Sequence, residues 1–178
     1  MTFRSILAAT LVAGAAVTTV SAQQVTNQDV PGIRNFTRLE TTIACGGATE
    51  PQAMPELKKM GFASVINLRL TDEPNANIPA AEAAAKAANL NYIHIPFDGQ
   101  TPDPAAADRF LEEITKPANE PAYVHCAGGN RAASMWMIKR LVVDKWDADR
   151  AADEATALGM RSPALRQFAV DYAASKAQ

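Results

Sequence analysis

The chain has 178 residues, 48% of them hydrophobic, and a formal net charge of −2. That is enough apolar material for one domain with a real core. It is too little basic charge for nucleic acid or an anionic membrane surface to be the main partner.

The first element in chain order is a targeting segment. Arg4 supplies a short positive region, ILAATLVAGAAVTTV follows as an apolar stretch, and VSA at 20–22 puts small residues at the positions a signal peptidase reads. The expectation is a signal peptide over 1–22, cleavage after Ala22, and a secreted or periplasmic protein. Residues 23–178 are then expected to form a single domain. No later apolar run is long enough to span a bilayer, and a monomer is expected.

Residues 23–35 are polar with a Pro-Gly pair and read as a loose lead-in. Residues 36–40 and 42–45 read as short strands, ended by Gly46 and Gly47. A helix is expected over 50–61, shortened by Pro55 and closed by Gly61. Residues 63–69 read as a buried strand because Val65, Ile66 and Leu68 show no helical period. A helix by propensity follows over 79–89, then a strand over 91–97, a helix over 104–116 stopped by Pro117, and a strand over 121–126. The remainder is helical. Residues 131–143 are apolar on nearly every side through Ile138, which predicts a buried helix. Asp147 caps the next helix and Ser162-Pro163 opens the last. Strands alternating with helices give an α/β layer fold with a short, mostly parallel central sheet flanked by helices. In such folds ligands sit at the carboxyl ends of the strands.

The stretch YVHCAGGNRAAS, residues 123–134, lies at such a strand end. A helix start offers free N–H groups and partial positive charge. Gly128 and Gly129 let the backbone curl so that successive amides point inward, which makes a cradle for an anion. Ala127, Gly128, Gly129, Asn130 and Arg131 are the candidate phosphate-binding residues, with Arg131 able to fork onto two oxygens. The same field favours a thiolate at Cys126. A thiolate on the floor of a tetrahedral-anion cradle is a nucleophile aimed at phosphorus or sulfur. Asn130 is read as the residue that takes a left-handed backbone conformation in the loop. In an oxidising compartment the chain's two cysteines also leave a Cys45–Cys126 disulfide open.

This loop resembles the signature of cysteine-dependent protein-tyrosine/dual-specificity phosphatases. More narrowly, it is similar to a bacterial phosphatase-like family whose domain also occurs fused to metallo-β-lactamase-like hydrolases. CGGATEPQAMPELKKMGFASVINLR and NYIHIPFDGQTP resemble that family's opening strand, glycine turn and helix, and its acid-loop region. The resemblance implies a dual-specificity-phosphatase-like three-layer fold and hydrolysis of phosphate monoesters, on a phosphoprotein or a small molecule, through a cysteinyl-phosphate. It departs from the broad pattern at one place. Four residues, 127–130, separate Cys126 from Arg131, and Ala132 stands where a Ser or Thr usually follows. The narrower family is similar in this shorter spacing, and so is the active-site loop of rhodaneses, which carry sulfur as a persulfide. Ser134 is the candidate substitute for the missing hydroxyl.

Phosphoryl transfer to a thiol needs an acid for the leaving oxygen and then a base for water. Asp98 follows the 91–97 strand and is the candidate. Asp103 is the alternate, although Asp103-Pro104 also reads as a helix cap and first residue. The resemblance gives His125 a supporting role around the loop rather than proton transfer. Arg69, Gly46 and Gly47 are read as structural residues near the pocket. No metal-ligand spacing exists and no cofactor is expected. Three functions compete: a phosphatase, a sulfurtransferase or persulfide carrier using the same loop without an acid, and a non-catalytic anion-binding protein.

Overall fold

The computed structural model describes residues 24–40 and 42–177, so the expected leader over 1–22 lies outside the described residues. Six strands, β1 (Val25–Asn27), β2 (Thr37–Leu39), β3 (Ile43–Gly46), β4 (Ser64–Asn67), β5 (Asn91–His94) and β6 (Ala122–His125), form one sheet in the order β1-β2-β3-β6-β4-β5. β3, β6, β4 and β5 run parallel, while β1 and β2 add antiparallel pairings at one edge. The expected mostly parallel sheet is therefore present. The expected loose lead-in is in part a strand: β1 is a three-residue, largely exposed edge element. Its polar VTN sequence carries no apolar alternation, and its place comes from backbone pairing with β2.

Six helices flank the sheet: α1 (Met54–Lys59), α2 (Ile78–Ala87), α3 (Pro104–Ile114), α4 (Asn130–Val142), α5 (Ala148–Ala157) and α6 (Pro163–Ser175). Alternate residues along each inner strand feed opposite layers, as pleat geometry requires. Ile43, Cys45, Ile66, Leu68, Val124 and Cys126 join a cluster with residues of α3, α4, α5 and α6. Ala44, Val65 and Tyr123 face the other way, with Met54, Leu57, Ala81 and Ala85 of α1 and α2. Both faces are covered, which is why these strands read as continuous apolar runs.

Local chemistry sets the helix boundaries. Asp103, Asp147 and Ser162 each accept a hydrogen bond from a first-turn amide of the helix that follows, and Pro104 and Pro163 occupy first helical positions that need no N–H donor. Helix α4 is buried continuously from Ala132 through Ile138, as its all-round apolar sequence predicts. It is the central helix of its layer and starts directly from the glycine-rich loop. Among the described residues, no helix is long and apolar enough to cross a membrane.

Candidate active site

The parallel strands deliver their carboxyl ends to one rim of the sheet: Gly46-Gly47 after β3, Leu68-Arg69 after β4, Phe97-Asp98 just beyond β5 and Cys126 after β6. Loop carbonyls and amides knit these ends together. Cys126 N donates to Gly46 O at 3.2 Å, Leu68 N to His125 O at 2.8 Å, Phe97 N to Leu68 O at 3.2 Å and Ala48 N to Ala127 O at 2.9 Å. Asn35 Nδ2 adds a bond to Gly128 O at 3.1 Å.

Cys126 is buried, 1% exposed, and the Gly129 amide donates to its Sγ at 3.1 Å. The loop thus wraps around the sulfur before α4 begins. The left-handed residue is Gly129, with φ of +98°, and not Asn130. Asn130 is already the first residue of α4, and its side chain faces away from the sulfur. Its Oδ1 accepts from Arg161 N at 2.7 Å and Ser162 N at 3.2 Å, tying the helix start to the α5–α6 turn. Of the five expected phosphate-binding positions, Asn130 therefore offers backbone and not side chain. Ser134 does not replace the missing hydroxyl either: its Oγ donates to Arg131 O at 2.9 Å, the back-bond common for serine inside a helix.

Arg131 is anchored through one nitrogen. Its Nη1 donates to Phe97 O at 2.8 Å and Leu68 O at 3.2 Å, and pairs with Glu73 Oε1 at 2.7 Å. Glu73 also accepts from Arg69 Nε at 3.0 Å and from the Leu70 amide at 3.0 Å. Partial burial opposes its charge, but the bonds from Arg131, Leu70 and Arg69 outweigh that and hold the carboxyl down at about 2. Arg69 has a second task, donating to Pro74 O at 2.6 Å and Asn75 O at 3.1 Å. It shapes the loop that carries Glu73 and, as expected, serves structure first. No local pattern marks Glu73, because Arg131 is 58 positions away and only the fold brings them together.

Asp98 is half-exposed. It is bonded within its own turn: Gln100 N donates to Oδ1 at 2.9 Å and Thr101 Oγ1 to Oδ2 at 2.8 Å. These two bonds, with Arg131 adding attraction, hold the carboxyl below its ordinary 3.8. Asp98 follows the carbonyl that Arg131 grips, and a Cβ on Gly99 would lie 3.3 Å from Arg131 Cγ. The Asp98 turn therefore lies against the arginine's stem. Asp103 instead accepts from Ala105 N at 2.9 Å, the helix-capping role anticipated for it.

His125 is 1% exposed and stacked on Tyr123, with ring centroids 5.6 Å apart. Neither ring nitrogen has a hydrogen-bond partner among the described residues. Burial, helped by the Arg69 and Arg131 charges and opposed by the nearby Cys126 and Gly47 backbone, pushes its pKa down to about 3. It stays neutral across the physiological range, so it is no proton shuttle there. The two cysteines are free. Cys45 lies on the neighbouring strand opposite Val124, two residues short of Cys126 on the same face, and no disulfide joins the two. Burial, with the neighbouring Cys126 adding to it, pushes the Cys45 thiol well up.

A cleft of about 840 Å³ opens beside the loop at Ala127, and a second of about 600 Å³ opens on its Gly128–Asn130 side. Among the described residues, no group of His, Cys, Asp and Glu is arranged to hold a metal ion.

The chain matches the model of the family described as DSP-PTPase phosphatase fused to NAD+ kinase over residues 15–171. It is 31% identical over 103 residues to the beta-lactamase hydrolase-like protein of Agrobacterium fabrum. That match takes in 57% of this chain and 24% of the relative, so the chain spans about a quarter of that protein. Among solved structures, a protein described as a phosphatase (DUF442) from Shewanella putrefaciens superposes with a TM-score of 0.70 at 22% identity, over 83% of this chain and 96% of the other. TpbA of P. aeruginosa, solved in complex with phosphotyrosine, gives a TM-score of 0.65 at 18% identity over 90% and 99%. The core catalytic domain of the PP-IP phosphatase SIW14 from S. cerevisiae gives 0.64 at 18% identity over 80% and 87%. These structural likenesses fall below 25% identity and establish the three-layer fold.

Proposed function

Because the chain belongs to the DSP-PTPase phosphatase family, and is accordingly a phosphatase-type hydrolase of phosphate esters, we propose that it works through Cys126 as nucleophile. Cys126 Sγ attacks phosphorus while the ester P–O bond breaks, and Asp98 gives its proton to the leaving oxygen. Water then attacks the cysteinyl-phosphate, Asp98 takes the water's proton, the S–P bond breaks and the thiolate returns. The loop amides from Ala127 to Arg131, together with the Arg131 guanidinium, hold the phosphoryl oxygens, with charge stabilised by groups already in place. His125 supports the loop from behind as a neutral, buried ring.

The observation that carries this reading is the junction of β6 and α4. A buried sulfur accepts a bond from an inward amide of its own loop, at a helix start whose arginine is pre-oriented. The Asp98 position favours phosphate over sulfur transfer, since a persulfide carrier has no use for an acid against Arg131. The reading extends to an exported protein, with residues 1–22 as a cleaved signal peptide and 23–178 as the single working domain. The test is phosphate release by reduced protein from aryl and alkyl phosphates, with thiosulfate as the competing substrate and N-terminal sequencing of protein recovered from the periplasm. Phosphate release and a terminus near Gln23 are expected. Thiosulfate cleavage without phosphate release would reverse the assignment.

A further inference from the structure

The residue before Asn35 is an arginine whose neighbours are all accounted for except at its charged end. The Arg34 backbone is fixed to the Gly47–Ala48 segment by two bonds, Gly47 N to Arg34 O at 2.6 Å and Arg34 N to Ala48 O at 3.0 Å, and Ala48 in turn donates to Ala127 O of the Cys loop. Gly47 permits this approach. A Cβ there would lie 3.0 Å from Ala127 O, 3.0 Å from Arg34 O and 3.2 Å from Arg34 Cβ. The root of the Arg34 side chain and the first residue of the anion cradle thus flank the same missing methyl group.

Arg34 is exposed and lines the 840 Å³ cleft with Ala127, Thr49, Gln52 and Asn75. The other described arginines each hold a carbonyl, a carboxylate or an aromatic ring. Among the described residues, the Arg34 guanidinium has no hydrogen-bond, ion-pair or ring partner. The carboxylates of the cleft are engaged without it. Glu73 is held by Arg69 and Arg131, and Glu50 accepts from Gln52 Nε2 at 2.9 Å and makes no ion pair with Arg34.

We propose that Arg34 is a specificity residue that receives a second anionic group of the substrate. The preferred substrates are then phosphate monoesters carrying another phosphate or a carboxylate within reach of the cleft. This rests on the phosphatase reading for where the scissile phosphate sits. A planar guanidinium forks onto phosphate or carboxylate oxygens, and a fixed backbone lowers the entropy lost on binding. Being exposed, its contribution shrinks as salt rises.

The test measures binding, so it does not depend on turnover. Cys126→Ser protein is titrated by calorimetry with a ladder of alkanediol bisphosphates of increasing chain length, the matching monophosphates, and monophosphates ending in a carboxylate. At the best spacing the doubly anionic ligand should bind about tenfold or more tightly than its monophosphate, the scale of a charge-assisted bond. Adding Arg34→Gln should remove that advantage, Arg34→Lys should restore part of it, and Lys86→Gln, an equal charge change on the exposed face of α2, should leave it intact. The two series identify whether phosphate or carboxylate is the second group. No advantage at any spacing, or an advantage that survives Arg34→Gln, overturns the proposal. Failure of the phosphatase reading would show separately, as absence of phosphate release by the protein that retains Cys126.

Discussion

The Cys loop and the Asp98 turn lie against each other but are built in opposite ways. The Cys loop encloses a buried sulfur and is tied to three neighbouring segments, through Asn35, Ala48 and the Glu73–Arg131 pair. The Asp98 turn is half-exposed, and among the described residues its carboxylate bonds only to its own Gln100 and Thr101. On the proposed mechanism the difference separates two tasks. A cradle for developing charge is most effective when nothing has to move as the charge forms. An acid must meet leaving groups of different shapes and change its protonation state twice per turnover, so exposure to substrate and solvent suits it.

The sharpest way to break the rigid half is to remove its sulfur. Cys126→Ser should abolish turnover while phosphate and vanadate still bind, because the cradle is mostly backbone. Full activity in the purified variant would place the nucleophile elsewhere. Arg131→Lys should follow with a loss of about a hundredfold or more in kcat, since a lysine ammonium cannot both hold Phe97 O and fork onto the phosphoryl group. Retention of wild-type rate would mean that the arginine anchors the fold and not the anion.

The exposed half is tested by leaving-group dependence. Asp98→Asn should cost about a hundredfold on alkyl phosphates and far less on activated aryl phosphates, whose leaving groups depart unprotonated. Its carboxyl sits below the ordinary value in the free protein, so kcat/KM on alkyl phosphates should fall as pH rises beyond the acid range. That basic limb should flatten in Asp98→Asn. A uniform loss across leaving groups would make Asp98 a structural residue.

Glu73 braces Arg131, the residue that joins the two halves, and should show the smallest of these effects. Glu73→Gln keeps the shape but removes the charge that orients Arg131, and about a tenfold loss in kcat/KM is expected, on the scale of one charge-assisted bond. It also carries a pH signature for stability. The folded-state value is about 2 against an ordinary 4.5, so its contribution is present above about 4.5 and is lost as pH falls toward 2. Acid unfolding of the Gln variant should lack that component. Identical acid transitions in the two proteins would show that the ion pair does not hold the loop.

The same contrast explains what the sequence made legible. Cys126, Arg131 and the glycines between them lie within a few residues, so their chemistry is local and readable. The capping roles of Asp103, Asp147 and Ser162 were readable for the same reason. Glu73 meets Arg131 across 58 positions of chain and Arg34 is set by backbone pairing with Gly47 and Ala48, and no local pattern marks either. The left-handed position at Gly129 rather than Asn130 follows from where α4 starts, and helix boundaries are fixed by capping geometry that composition leaves free by a residue or two. The polar β1 escaped notice because edge pairing needs only backbone. The buried inner strands and the all-round apolar α4 were plain because both of their faces are covered.

The proposed mechanism turns on passage of phosphate through the sulfur of Cys126. Rapid acid quench of wild-type protein during turnover of an aryl phosphate, followed by peptide mass spectrometry, tests it directly. The prediction is a peptide containing Cys126 that carries one phosphoryl group, with no such species on Cys45 and none in Cys126→Ser. Steady phosphate release with Cys126 unmodified at every quench time, and with the Cys126→Ser protein equally active, would contradict it.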